Sequence, residues 1–216
     1  MKKIAVVLAG CGRMDGSEIH ESVLTLLSIE QAGASYQCFS PDLAQDHVTN
    51  HLNNETTNET RNMLVESARI ARGNVKKLEE LNSNDYDALI IPGGNGVAAN
   101  LFTLAQDGAN YTVNLSLSKI AQSFTAAGKA LGFICIAPVM IPAIYNFPVN
   151  MTIGSDEGTA ALVTKRGAIH HSSTVNEICI DEKYKIVSTA AYMLAGNILD
   201  AYSGINKLVH KVVELA

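Results

Sequence analysis

The stretch Gly132-Phe133-Ile134-Cys135-Ile136-Ala137-Pro138 sets one thiol between an apolar, β-branched run and a proline. A strand, a tight turn and a helix whose first turn carries Pro138 make a nucleophile elbow, which exposes a single side chain for attack on an electrophilic carbon. The helix start supplies partial positive charge and unpaired N–H groups, which lower a thiol pKa and favour the reactive thiolate. Free cysteine is also among the most buried residue types, so the local pattern alone reads equally well as core filling. The position of Cys135 just past a strand end, where sheets of this kind bind ligands, favours the nucleophile.

Two other strand ends carry unusual residues. Pro92-Gly93-Gly94-Asn95-Gly96 reads either as a plain turn or as a surface of backbone N–H groups. In the second reading Gly94, with Gly93 beside it, joins the N–H of Ile136 to receive a developing oxyanion. The third end is "GCGRMDGSEIHE", residues 10–21. As a dinucleotide fingerprint its last glycine is misplaced, although Asp42 after the second strand could meet a ribose. Asp15, Glu18 and Glu21 also crowd the helix start, where a pyrophosphate needs positive potential. Asp15 and Glu21 read as complements to the helix dipole. A carboxylate projecting from this loop toward Cys135 would serve as proton acceptor and donor, its pKa raised by partial burial.

The elements that position these residues follow from hydrophobic period. Apolar β-branched runs at residues 4–9, 36–39, 88–91, 131–134, 178–180 and 186–187 predict strands, with a short one at 151–153. Helical period predicts helices at 18–32, 59–71, 113–127, 138–145, 159–166 and 194–215. "HVTNHLNNETTNET" is polar and irregular, an excursion that fits a small hairpin. Continuous apolar strands imply a sheet covered on both faces, hence a three-layer α/β/α domain with a mostly parallel sheet. No linker, repeat or low-complexity segment divides residues 1–216, which read as one domain.

Composition narrows the chemistry. The chain is 47% hydrophobic and 17% charged with a formal charge of −5, values of a globular protein that argue against a nucleic-acid partner. Cys11, Cys38, Cys135 and Cys179 are too few and scattered for a disulfide scaffold or a paired metal site, so a reducing cytoplasm is the simplest compartment. The apolar run after "MKK" is only six residues, short for a signal peptide, and no run reaches membrane-spanning length. The five N-x-S/T triplets then read as chance. His170 and His171 lack a third ligand at metal spacing and read as a loop or strand end. Cys38 and Cys179 read as core, the 208/209/212/213 stripe as a packing face, and Cys11, at another strand end, as a possible redox partner of Cys135.

Together "GCGRMDGSEIHE", "ETRNMLVESARI", "IPGGNGVAANL", "GFICIAPVMIP" and "AYMLAGNI" resemble the ElbB-type proteins, also called enhancing-lycopene-biosynthesis or isoprenoid-biosynthesis proteins with an amidotransferase-like domain. These fall in the Parkinsonism-associated deglycase and PfpI branch of the class I glutamine amidotransferase-like superfamily. The resemblance runs from Lys3 to about Lys211. It implies a flavodoxin-like sandwich, usually dimeric, with glyoxalase activity that needs neither glutathione nor metal. It also implies Cys135 as nucleophile, Glu18 as the acid hydrogen-bonded to the thiolate, and Gly94 with Ile136 as oxyanion-binding backbone. No His follows Cys135 as amidotransferases require, which speaks against glutaminase and peptidase chemistry. The function expected is cofactor-free conversion of glyoxal to glycolate through a Cys135 hemithioacetal, with Glu18 moving the proton and His20 a minor candidate to assist. Small aldehydes are the expected partners, with no membrane or nucleic acid; the alternative is a redox-sensing or regulatory amidotransferase-like protein linked to isoprenoid metabolism, with a reactive Cys135 and no efficient turnover.

Overall fold

The computed structural model describes residues 1–216. Strand β1 (Lys3–Val7) lies near the middle of a seven-stranded sheet, because its residues alternate between two apolar layers and are buried on both. Ile4 and Val6 face one layer and Ala5 and Val7 the other. Helix α1 (Ile19–Gln31) follows and returns the chain to β2 (Ser35–Ser40), parallel to β1.

The polar excursion is a hairpin, β3 (Val48–Asn50) and β4 (Glu55–Thr57), with Asn54 at positive φ in its turn. Helix α2 (Met63–Ile70) starts only where Asn62 accepts from the Val65 N–H, four residues later than period suggests. A polar edge strand, β5 (Val75–Lys77), then pairs with β2. Its sequence, Val-Lys-Lys, carries no apolar run, so pattern alone does not reveal it.

β6 (Ala88–Ile91) crosses back to the other side of β1. Two single-turn helices, α3 (Val97–Asn100) and α4 (Leu104–Asp107), precede α5 (Leu115–Ala126), and neither is long enough to show a period. β7 (Ala130–Ile134) runs parallel to β6. After it come a 3-10 turn (Ala137–Met140) and one α-turn, α6 (Ile141–Ile144), in place of a continuous helix. The 151–153 strand is β8 (Asn150–Met151), which leaves the main sheet and pairs with β9 (Ile169–His170) across α7 (Glu157–Lys165). β10 (Ile178–Asp181) and β11 (Ile186–Thr189) form an antiparallel hairpin at the far edge. α8 (Ile198–Leu215) starts at its Asn197 cap rather than at residue 194.

The sheet order is β10-β11-β7-β6-β1-β2-β5, parallel except for β10. α1 and α8 cover one face through Leu24, Ile29, Ile205, Leu208 and Val209, which buries the predicted helix stripe within this chain. α5 covers the other with Leu117, Ala121 and Phe124. The result is the three-layer, flavodoxin-like arrangement expected. The chain leaves β1 toward β2 on one side and returns to β6 on the other, so a crevice opens beyond the carboxyl ends of β1 and β6. No helix is long and apolar enough to cross a membrane.

Candidate active site

Cys135 follows β7 at φ 62°, a left-handed conformation that side chains other than glycine adopt at a cost of about 1–3 kcal/mol. The cost is met by neighbours that over-determine the turn. The Cys135 N–H donates to Thr189 O at 2.9 Å, and Pro138 opens the 3-10 turn behind it. Gly93 approaches so closely that a Cβ there would stand 2.6 Å from the Cys135 Cβ and 2.8 Å from Ile134 O. Only a glycine allows the β6 loop to reach the elbow.

The carboxylate beside the sulfur is Glu21, not Glu18. Glu21 sits at the third position of α1 and is 0% exposed. Its Oε2 accepts from the Gly93 N–H at 3.0 Å, its Oε1 accepts from the Tyr192 N–H at 3.2 Å, and it is hydrogen-bonded to the Cys135 thiol. Glu18 is the N-cap: its Oε2 accepts from the Glu21 N–H at 2.7 Å, and its own N–H donates to Gly93 O at 2.8 Å. The expected Glu18 contact with the thiolate is therefore corrected, because the cap holds the Glu18 carboxylate and the helix turns position 21 inward. The folded helix explains the choice: Leu24, Thr25 and Ser28, three, four and seven places after Glu21, are all buried, so Glu21 lies on the inward face of the helix. A carboxylate on the buried face of a helix has no business complementing a dipole alone.

Electrostatics link the pair. Burial pushes the Glu21 carboxyl up to about 7, against the opposing hydrogen bonds from Cys135, Tyr192 and Gly93. Burial also pushes the Cys135 thiol up, reinforced by the Glu21 charge, while the N–H groups of Gly94 and Ile136 aimed at the sulfur pull it down. A helix start as the source of thiolate stabilisation is thus replaced by two individual N–H donors, since only a 3-10 turn follows the elbow. Near neutral pH the thiol keeps its proton while the Glu21 carboxyl titrates, so the ionised carboxylate beside it is the group able to accept the thiol proton and the repulsion between two anions is avoided.

The folded state binds the Glu21 proton more tightly than the unfolded chain, so its contribution to stability is fully present below the ordinary value of 4.5 and is lost as pH rises through about 7. Over that window wild type should lose about 3 kcal/mol attributable to this group. Urea unfolding at pH 5 and pH 8 measures it: the pH-dependent loss should shrink by that amount in Glu21→Gln, and an unchanged slope would place the Glu21 carboxyl outside the buried pair.

Cys135 is 7% exposed and opens onto a cavity of about 340 Å³ with Gly94 in its lining. Glu18, His20, Tyr192, Arg13 and Asn95 line it as well. His20 therefore does reach the cavity, and its Nδ1 lies 2.8 Å from the Tyr192 hydroxyl. Arg13, Asn95 and Tyr192 escape sequence reasoning because they come from separate loops that only the fold brings together. The hairpin steadies the loop that carries Arg13: Thr49 N–H donates to Asp15 Oδ2 at 2.8 Å and Gln45 Nε2 to Asp15 O at 2.7 Å. Asp15 is thus a buried anchor for the hairpin, which goes beyond complementing the dipole.

Cys11 does not line this cavity; its surroundings are Glu66, Arg69 and Asp15, and burial foremost raises its thiol. All four cysteines are free. A larger groove of about 980 Å³ runs beside β10, with His171, Cys179 and Asp181 in its lining. There burial pushes the Cys179 thiol up to about 11, and Asp181 Oδ2 is committed to the Asn150 N–H at 2.8 Å, so no activated nucleophile faces it. His170 accepts from the Ile153 N–H and His171 lies 2.7 Å from Asn150 Oδ1. No three His, Cys, Asp or Glu side chains gather as a metal-binding group.

No family model matches the chain. The human protein named glutamine amidotransferase-like class 1 domain-containing protein 3, mitochondrial, is 40% identical over 223 residues, covering 99% of this chain and 83% of its own length. The rat ES1 protein homolog, mitochondrial, is also 40% identical, covering 99% and 84%. The crystal structure of an Ehrlichia chaffeensis isoprenoid biosynthesis protein with amidotransferase-like domain matches with a TM-score of 0.92 at 35% identity, over 100% of this chain and 99% of that one. Candida albicans glyoxalase III shares the fold, with a TM-score of 0.62 at 14% identity over 99% of this chain and 97% of that one. The relatives' names correct one expectation: they are mitochondrial, against the cytoplasm inferred from cysteine usage. Unpaired cysteines indicate a reducing compartment without saying which one.

Proposed function

The chain belongs to the glutamine amidotransferase-like class 1 family that includes the ES1 proteins, and from that premise we propose that it is a glutathione-independent, cofactor-free glyoxalase converting glyoxal to glycolate. The observation that carries this reading is a buried carboxyl, raised to about 7, hydrogen-bonded to a thiol at a strained elbow. That is the pairing of base and nucleophile that thiol addition and carbon-to-carbon proton transfer both need.

Glu21 takes the thiol proton and the Cys135 thiolate adds to one aldehyde carbon of glyoxal. The carbonyl electron pair moves onto oxygen, which in this reading the N–H groups of Gly94 and Ile136, the same groups that lower the thiol, receive. Glu21 passes the thiol's proton to that oxygen, giving the hemithioacetal, and then removes the hydrogen of the thiol-bearing carbon as a proton while the second carbonyl oxygen takes a proton from solvent, giving an enediol. Glu21 returns its proton to the second carbon as the hydroxyl on the first carbon gives up its own to solvent. One carbon is oxidised to a thioester while the other is reduced to an alcohol, so no external oxidant or reductant enters. The Tyr192 hydroxyl, beside His20 Nδ1, stands on the same cavity and is available to the second carbonyl oxygen. Water cleaves the thioester, releasing glycolate and the free thiol.

The isoprenoid term in the name of the Ehrlichia chaffeensis relative is not the reading these side chains favour, since Arg13, Glu18, His20 and Asn95 set charged and hydrogen-bonding groups around Cys135. A redox-sensing role fits less well, since burial keeps the resting thiol protonated and largely shielded. The test is formation of glycolate from glyoxal by the purified protein with a chelator present and no glutathione.

A further inference from the structure

The cavity over Cys135 is much larger than a two-carbon dialdehyde requires, at about 340 Å³. Arg13 is the one Lys or Arg in its lining. The guanidinium forms no ion pair, and its single hydrogen bond runs from Nη2 to Asn54 Oδ1 at 3.1 Å. Most of its five donors are therefore free for a ligand. The backbone beneath it is pinned to the nucleophile's own support: Arg13 O accepts from the Asn95 N–H at 2.6 Å, one residue from the Gly94 N–H that points at the sulfur. Asn95 lines the cavity with Arg13, its Nδ2 3.4 Å from Met14 Sδ. The one acid in the lining, Glu18, has an oxygen committed to its helix cap, accepting from the Glu21 N–H at 2.7 Å.

We propose that Arg13, with Asn95, binds a carboxylate at the far end of the substrate, so that the site serves 2-oxoaldehydes carrying a terminal carboxylate in addition to glyoxal. A planar guanidinium offers the paired donors that a carboxylate accepts bidentately. The carbon chemistry rests on the glyoxalase reading and has the same balance: the aldehyde carbon ends as a carboxylate, the adjacent ketone as an alcohol, and the product is a 2-hydroxy dicarboxylate. The anion contact itself does not depend on turnover. Arg13 acts in binding and specificity and moves no proton.

The test separates the two. Alkylation of Cys135 by iodoacetate and by iodoacetamide, followed by mass spectrometry of the Cys135 peptide at low salt, gives a ratio of rates for an anionic and a neutral reagent of one size. Relative to free cysteine, wild type should favour iodoacetate on the order of tenfold. Arg13→Gln should lose that preference and Arg13→Lys should keep part of it. In parallel, the ratio of kcat/KM for 4,5-dioxopentanoate over the uncharged 2-oxopentanal should fall by a similar factor in Arg13→Gln. A wild-type alkylation ratio equal to that of free cysteine, or one unmoved by Arg13→Gln, overturns the proposal. A ratio that falls in Arg13→Gln while neither these aldehydes nor glyoxal is turned over upholds the anion anchor and defeats the glyoxalase reading alone, whereas turnover of glyoxal without turnover of 4,5-dioxopentanoate overturns the carboxylated substrate.

Discussion

Cys135→Ala is expected to form no glycolate from glyoxal above the solution background, and Cys135→Ser to lose on the order of 10⁴-fold or more in kcat, the scale seen when a nucleophile is removed from a covalent mechanism. The loss is so large because every step passes through carbon bound to this sulfur. A serine hydroxyl in the same place must give up a proton far less acidic than a thiol's, and Glu21, at about 7, is too weak a base to take it efficiently. Neither variant should unfold the protein. The elbow is held by Thr189 O and by the close approach of Gly93, not by the sulfur. Glycolate measured by proton NMR, alongside urea unfolding, separates lost chemistry from lost fold; a Cys135→Ala protein that still makes glycolate at the wild-type rate would end the covalent mechanism.

Glu21→Gln should lower kcat by about 10²–10⁴-fold, the usual contribution of a positioned acid–base group. Glutamine keeps the size of the side chain but presents one oxygen to the two N–H groups of Gly93 and Tyr192, and it cannot take a proton from the thiol. Glu18→Gln keeps a cap acceptor for the Glu21 N–H and should lose less than about tenfold. The pair of variants, assayed side by side, decides which carboxylate moves the proton. Equal losses, or a larger loss at Glu18, would contradict the assignment to Glu21.

The contrast between these two acids shows how far a sequence can be read. The central strands and the elbow are legible because apolar, β-branched runs end in Pro-Gly-Gly or in Cys before a proline, patterns set by local chemistry. Gly94 and Ile136 follow from the same local logic; their N–H groups pull the Cys135 thiol down, and the oxyanion role given to them belongs to the proposal. Glu18 and Glu21 lie three residues apart on one acidic helix start, and choosing between them requires knowing which side of α1 meets Gly93. That contact joins positions 72 residues apart, so no local rule supplies it. The buried period of α1 points to Glu21 only once the packing is seen; before that, the acids read as dipole complements. Arg13 and Tyr192 are harder still, since a loop after β1 and a turn before α8 meet only across the crevice. The polar edge strand β5 and the short β9 lack the apolar repeat that reveals strands elsewhere.

The most direct test of the central claim is glycolate production by the wild-type protein alone, freed of metal with a chelator and given glyoxal without glutathione, with iodoacetamide labelling of Cys135 as proof that the site is intact. The account predicts steady formation of glycolate over many turnovers, one for each glyoxal consumed. A protein whose Cys135 labels readily but which makes no glycolate would contradict it.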